Sequence, residues 1–229
     1  MDMIEHTLFP TLVGEFTYDQ PTQFKSDFFE HIFDHTDEHG FSNEFTGHVT
    51  LHHEPSFAPL FVFATQAIRK YIARLHVDPD LFDINIVKTW MNITRNRSTP
   101  AHNHADAHMS FTYYIHIPEN VIKPIRFYNH VNRHEPFPGC IKFNRPSVWD
   151  WLNAYTWQFV PKEGNMFVFP ATLAHDTVSP TQDEEVGCHT VDDLKMTRIC
   201  LAGDAVLTHR NLSNTPMGLQ PIHNWRNFG

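Results

Sequence analysis

Past Pro79 the chain changes its pattern. Six short runs rich in β-branched and aromatic residues follow one another: "INIVKTWMNITR", "SFTYYIHIP", "IRFYNHV", "YTWQFVP", "NMFVFP" and "TRICLAGDAVLTH", bounded by Pro, Asn, Asp or charged turns. Runs this short with irregular connections allow a stack of strands, a sandwich or a small barrel. The first third reads differently. "TLFPTLVGEFT" (7–17) is an opening strand with turn residues inside it, and Pro21 stands at a helix start. In "PTQFKSDFFEHIFDH", Phe24, Phe28, Ile32 and Phe29, Phe33 recur at spacings of four, which is one apolar helix face. "SFAPLFVFATQAIRKYIARLHVD" repeats the pattern through Leu60, Ala64, Ala67, Ile68, Tyr71, Ile72 and Leu75. The expected fold is therefore mostly β, with two N-terminal helices covering one face of the sheet.

No linker, low-complexity tract or internal repeat interrupts the sequence, so one domain over 1–229 is expected. Within it, 1–79 carries the opening strand and helices, 80–210 the β core, 130–154 a long turn-rich insertion and 211–229 a tail. At 229 residues, 41% of them hydrophobic, the chain has ample material for a core. Its formal charge of −9 and the lack of any Lys/Arg run interleaved with aromatics argue against nucleic acid as a partner. The start "MDMIEHTLFPTLVGEF" has no basic segment of the kind a signal peptide carries, and no apolar run has membrane-spanning length. Cys140, Cys188 and Cys200 are odd in number and widely scattered. Together these features predict a cytosolic protein with free thiols and no membrane partner.

Histidine is the anomaly, because the 18 histidines outnumber the 17 lysines and arginines together. The segment "TPAHNHADAHMSFTYYIHIP" places His102, His104, Asp106 and His108 within seven positions, directly before an aromatic strand. Two histidines and a carboxylate on one face hold a metal while leaving coordination positions open. His104-Ala-Asp106 offers a His-x-Asp pair, and His102-Asn-His104 an alternative two residues earlier. A second fragment, "VPKEGNMFVFPATLAHDTVSP", adds a Gly164 turn, an apolar strand, Pro170 and then His175. Each fragment alone is equally well a solvated turn or a hydrogen-bonded histidine.

The order of these pieces resembles the iron(II) and 2-oxoglutarate-dependent oxygenases, whose fold is a double-stranded β-helix, the jelly-roll barrel shared with cupins. The match is closest to a branch of small bacterial and phage members. It covers about residues 85 to 206 through "TWMN" (Trp90, Asn92), "HNHAD", "SFTYY" (Ser110, Tyr113, Tyr114), "PKEGNMFVFPATLAHDTVSP" and "TRICLAGD". The resemblance implies iron(II) between the 102–106 turn and His175, with 2-oxoglutarate and O2 as co-substrates and ascorbate as an optional reductant. The branch's His-x-His pattern would make His102 the first ligand and leave Asp106 or His104 for the third place, whereas the direct His-x-Asp spacing favours His104 and Asp106 with His175 as ligands and His108 as dispensable. Arg198 and Tyr114 would bind 2-oxoglutarate, with Asn92 and Ser110 nearby. The activity implied is hydroxylation of a protein side chain, prolyl included, or of a small molecule. Three departures stand out: Phe111 replaces a glycine, an acidic excursion separates His175 from Arg198, and Cys200 occupies a serine position. A cupin-type metal enzyme and a metal-free binding protein are the competing readings. The cupin reading lacks its glutamate, since the first acid after Asp106 is Glu119.

Overall fold

A computed structural model describes residues 11–19, 25–30, 50–94, 98–119, 121–129, 154–178, 192, 195–210 and 218–228. In chain order the elements are β1 (Gly14–Thr17), α1 (25–30), α2 (Ala58–Arg74), β2 (Phe82–Thr94), β3 (Thr99–His102), β4 (Met109–His116), β5 (Ile125–Tyr128), β6 (Thr156–Phe159), β7 (Asn165–Pro170), β8 (His175–Thr177) and β9 (Arg198–His209). They form a five-stranded sheet, ordered β1-β7-β4-β9-β2, and a four-stranded sheet, ordered β3-β8-β5-β6. All strand pairs are antiparallel. The expected jelly roll is thus present as two facing sheets, with no closed barrel among the described residues. The insertion at 130–154 lies almost wholly outside the described residues, as do the second half of the first helix and most of the acidic excursion.

Helix α2 forms where the apolar spacing predicts it. Leu60, Phe61, Ala64, Ala67, Ile68, Tyr71 and Ile72 are buried, on one stripe. Each large apolar side chain so buried stabilises the fold by about 1.5–3 kcal/mol. Leu75 does not belong to that stripe: it is 51% exposed, because the helix ends at Arg74 and His76 turns the chain with φ of +60°. Left-handed backbone at that point is how helices commonly terminate. The Tyr71 hydroxyl donates to Leu12 O at 2.9 Å and ties the helix to the approach of β1.

Alternation along the strands divides the side chains between two clusters. Met109, Phe111, Tyr113 and Ile115 of β4, with Met166 and Val168 of β7 and Ile199 and Leu201 of β9, pack against α2. Tyr114, Phe167, Phe169 and Cys200 point the other way, toward Ile125 and Phe127 of the second sheet. Strand β2 needs a correction to keep in step. Ile86 pairs with Ala205 and Lys88 with Asp204, so Val87 is an extra residue. This bulge moves the even-numbered residues of β2 from the helix side to the inter-sheet side. Ile84 and Ile86 pack under the helices, whereas Lys88, Trp90 and Asn92 line the space between the sheets.

Phe111, the residue that departs from the family's glycine, has its own accommodation. It lies opposite Gly203 on β9, and a Cβ built at Gly203 would stand 2.8 Å from Phe111 Cε1 and 3.0 Å from Thr89 Cγ2. The ring occupies the room that a side chain at 203 would need. Gly203→Ala is therefore expected to cost about 1–3 kcal/mol by overpacking. Chemical denaturation should show most of that loss restored by Phe111→Leu in the same chain.

Candidate metal centre

Strands β3 and β8 run antiparallel with His102 directly across from His175. Side chains directly opposed on such strands stand about 4.5–5.5 Å apart at Cβ. Backbone pairing alone thus brings two imidazoles together, and their ring centroids lie 4.4 Å apart. The chain then turns, and the backbone N–H of His104 donates to Ala171 O at 2.8 Å. That contact sets the His104 ring parallel to His175, at 6° and 5.3 Å, with its plane also stacked on Trp90 at 22° and 5.4 Å. One nitrogen from each of His102, His104 and His175 lies within 4.8 Å of the other two.

The remaining nitrogens show which atoms are offered. His102 Nδ1 lies 2.8 Å from Pro100 O, His175 Nδ1 2.9 Å from Leu173 O, and His104 Nδ1 2.9 Å from Asp204 Oδ2. Carbonyl and carboxylate oxygens accept, so in each ring Nδ1 carries the proton and Nε2 keeps its lone pair. Histidines that bind metals are typically oriented by this kind of hydrogen bond. Burial holds the His175 pKa down to about 4 by disfavouring the charged ring. It stays neutral and able to coordinate across the physiological range.

Asp106 is not a member of this group. Strand pairing fixes His102 opposite His175, the turn at 105–106 begins as soon as His104 has reached the cluster, and Asp106 is exposed on that turn at the cavity rim. His108 is engaged elsewhere, since its Nδ1 accepts the backbone N–H of Leu207 at 3.0 Å. Ser110 lines the cavity, but its hydroxyl donates to Asp204 Oδ1 at 2.7 Å. Asn92 also faces the cavity, directly opposite Cys200 in the β2–β9 register. Asp204 escaped the sequence reading. The signal was available, because 198, 200, 202 and 204 share one face of a strand that carries Arg198.

The three histidines open into a cavity of about 440 Å³ between the sheets, which Tyr114 and Arg198 also line. Arg198 is 2% exposed, yet its Nε and Nη2 have no hydrogen-bond partner, and neither does the Tyr114 hydroxyl. The guanidinium lies over the Tyr114 ring at 4.8 Å. Burial pushes the Tyr114 pKa up to about 12, so the phenol remains a donor. Two buried donors at one end and three imidazole lone pairs along one wall fit a dicarboxylate beside a transition metal. Cys200 is a free thiol on the same face, and no helix among the described residues is long and apolar enough to cross a membrane.

This combination is a jelly roll whose cavity gathers three imidazole lone pairs and two buried donors that lack partners. Residues 88–192 match the family model described as "Putative 2OG-Fe(II) oxygenase". Among solved structures, it is similar to the non-heme alpha-ketoglutarate-dependent carbocyclase SnoK from nogalamycin biosynthesis, with a TM-score of 0.53 and 8% identity over 93% of this chain and 89% of that one. It is also similar to the non-heme alpha-ketoglutarate-dependent epimerase SnoN from the same biosynthesis, with a TM-score of 0.50 and 10% identity over 89% of this chain and 82% of that one. No curated protein matches the sequence.

The low His175 pKa has a consequence for the metal-free protein. The unfolded chain takes up this proton near pH 6.5 and the folded chain only near 4, so stability is full above 6.5 and declines as pH falls to about 4. The loss through this residue is at most about 3 kcal/mol. Thermal melts of metal-free wild type and His175→Gln across that range should show a flatter pH dependence in the variant.

Proposed function

We propose that the chain is an iron(II)- and 2-oxoglutarate-dependent hydroxylase whose metal is held by His102, His104 and His175. The observation that carries the reading is the buried guanidinium of Arg198, whose Nε and Nη2 have no hydrogen-bond partner, at one end of the cavity that the three histidines share. An unpaired buried charge costs several kcal/mol, and the far carboxylate of 2-oxoglutarate supplies the missing partner in the planar, two-point geometry that arginine suits. Tyr114 adds a neutral hydroxyl donor to the same carboxylate. Iron(II), held by the three histidines beside 2-oxoglutarate, would supply the oxidation chemistry, with dioxygen and 2-oxoglutarate consumed, succinate and carbon dioxide formed and one oxygen atom passed to the substrate.

The protein's own share is binding, orientation and exclusion of water. Hydrogen bonds at Nδ1 orient all three imidazoles, so that their Nε2 atoms would hold the metal. Phe169 from the first sheet and Ile125 from the second line the cavity with apolar surface, and Phe127 packs against both in the same cluster. Substrate enters on the side of Lys88 and Trp90, which lie along β2 away from Arg198: Lys88 pairs with Asp204 midway along the ladder, whereas Thr94 pairs with Arg198 at its end. A protein side chain or a small molecule fits this opening. A buried guanidinium at the end of the cavity supports the 2-oxoglutarate reading over the cupin one, because it asks for a carboxylate partner.

Two measurements test this assignment. Iron(II) or manganese(II) binding should be lost in His102→Ala and retained in Asp106→Ala, and the reverse pattern would move the ligand set two residues along the chain. Separately, Arg198→Ala should weaken 2-oxoglutarate binding at least about tenfold, the equivalent of about 1.4 kcal/mol, with metal affinity nearly unchanged. Titration of 2-oxoglutarate into the iron-loaded protein, read from its charge-transfer absorption, gives that value. Succinate formation from 2-oxoglutarate should fall in parallel, and equal affinity in wild type and variant would remove 2-oxoglutarate from the proposal.

A further inference from the structure

His104 is held differently from the other two histidines. His102 and His175 donate to carbonyl oxygens, which are neutral, whereas His104 donates to a carboxylate. That carboxylate, Asp204, is 1% exposed, and its other oxygen accepts the hydroxyl of Ser110, itself 2% exposed. No lysine or arginine among the described residues forms an ion pair with it, and the side chain within ion-pair distance is His104. Lys88 stands opposite Asp204 in the strand register, but its ammonium lies 5.2 Å from the Trp90 ring centre. A fully buried anion without a cation is as costly as a buried cation without an anion. Beside Arg198 in the cavity there is thus a second imbalance just behind its wall, with Asp204 on the far side of the His104 ring from the offered Nε2.

We propose that Asp204 is the anionic member of the metal centre, a positioning residue that acts through His104. It rests on the reading that the three histidines hold the metal. Three imidazoles bring no charge of their own, and Asp204 places one negative charge a single hydrogen bond behind a ligand. Its carboxylate holds the proton of His104 on Nδ1 and draws it outward, which makes Nε2 a stronger donor to the metal. It also favours the more highly charged oxidation state of iron. Trp90 sets the plane of the ring, and Asp204 sets its tautomer and basicity.

The test is Asp204→Asn, which keeps both hydrogen bonds and removes the charge. The amide oxygen accepts from His104 Nδ1–H, and the amide nitrogen donates to Ser110 Oγ once that hydroxyl rotates. Cobalt(II) affinity, followed by the visible spectrum of the bound ion, should fall about 10–100-fold in this variant. The iron(III)/iron(II) potential should move positive, a change that a merely structural contact would not produce. Unaltered cobalt affinity and potential in Asp204→Asn would overturn the proposal. Wild-type protein that binds no cobalt would instead sink the metal-site reading itself, before any variant is made. If Asp204→Asn does not fold, Ser110→Ala serves in its place. Loss of that hydroxyl leaves the Asp204 charge less shared, so the potential should move negative. No shift, or a positive one, counts against the proposal.

Discussion

Everything at the site depends on the two-residue repeat of β9, a strand paired on both sides, by β2 and by β4. Its odd-numbered residues Ile199, Leu201 and Ala205, with the glycine at 203 between them, serve the core beneath α2. Before that core is reached, Arg198, Cys200, Ala202 and Asp204 turn toward the second sheet. Ala205 next to Asp204 breaks no alternation, because 204 faces the cavity and 205 the helices. A slip of one residue in either pairing would exchange the two sets, turning the aliphatics toward the cavity and the guanidinium and carboxylate into the apolar core. The apolar demand of the helix side thus fixes where the guanidinium and the carboxylate sit.

Much of this was legible in the sequence, because both periodicities are strong where the elements are long. The six β runs reappear as β2, β4, β5, β6, β7 and β9, and the stripe on α2 is the predicted one up to Ile72. What escaped is local and depends on partners. Strand β3 is four residues long, three of them exposed beyond its first, so it carries no apolar alternation to read. Its existence is a matter of pairing with β8, and that pairing is what brings His102 to the cluster. The His-x-Asp spacing pointed to Asp106, whereas tertiary register gathered the two members of His-x-His. Val87 likewise reads as an ordinary strand residue, and only its lack of a partner reveals that β2 changes face there.

The polar residues of the cavity also show why residue type alone is an incomplete guide. Ser110 and Tyr114 share a strand face and both line the cavity. One hydroxyl is committed to Asp204, and the other has no partner. Both are buried, and sequence gives no means to separate a hydroxyl that supports a neighbour from one that awaits a ligand. Satisfaction of hydrogen bonds makes that distinction, since a buried polar atom left without a partner is uncommon in a folded protein.

The unequal burial of the three histidines carries a kinetic consequence. His175 is buried and His104 half-buried, but His102 is exposed at the end of a short edge strand. A metal held by this set leaves by releasing one nitrogen first, and the imidazole able to swing into solvent without disturbing the core is His102. Exchange of the ion is then governed by the fraying of four residues rather than by opening of the sandwich. Nitrogen donors bind nickel, copper and zinc more tightly than iron(II). A site that exchanges readily takes its occupant from what the surroundings offer, and its residence time is set at that one strand end.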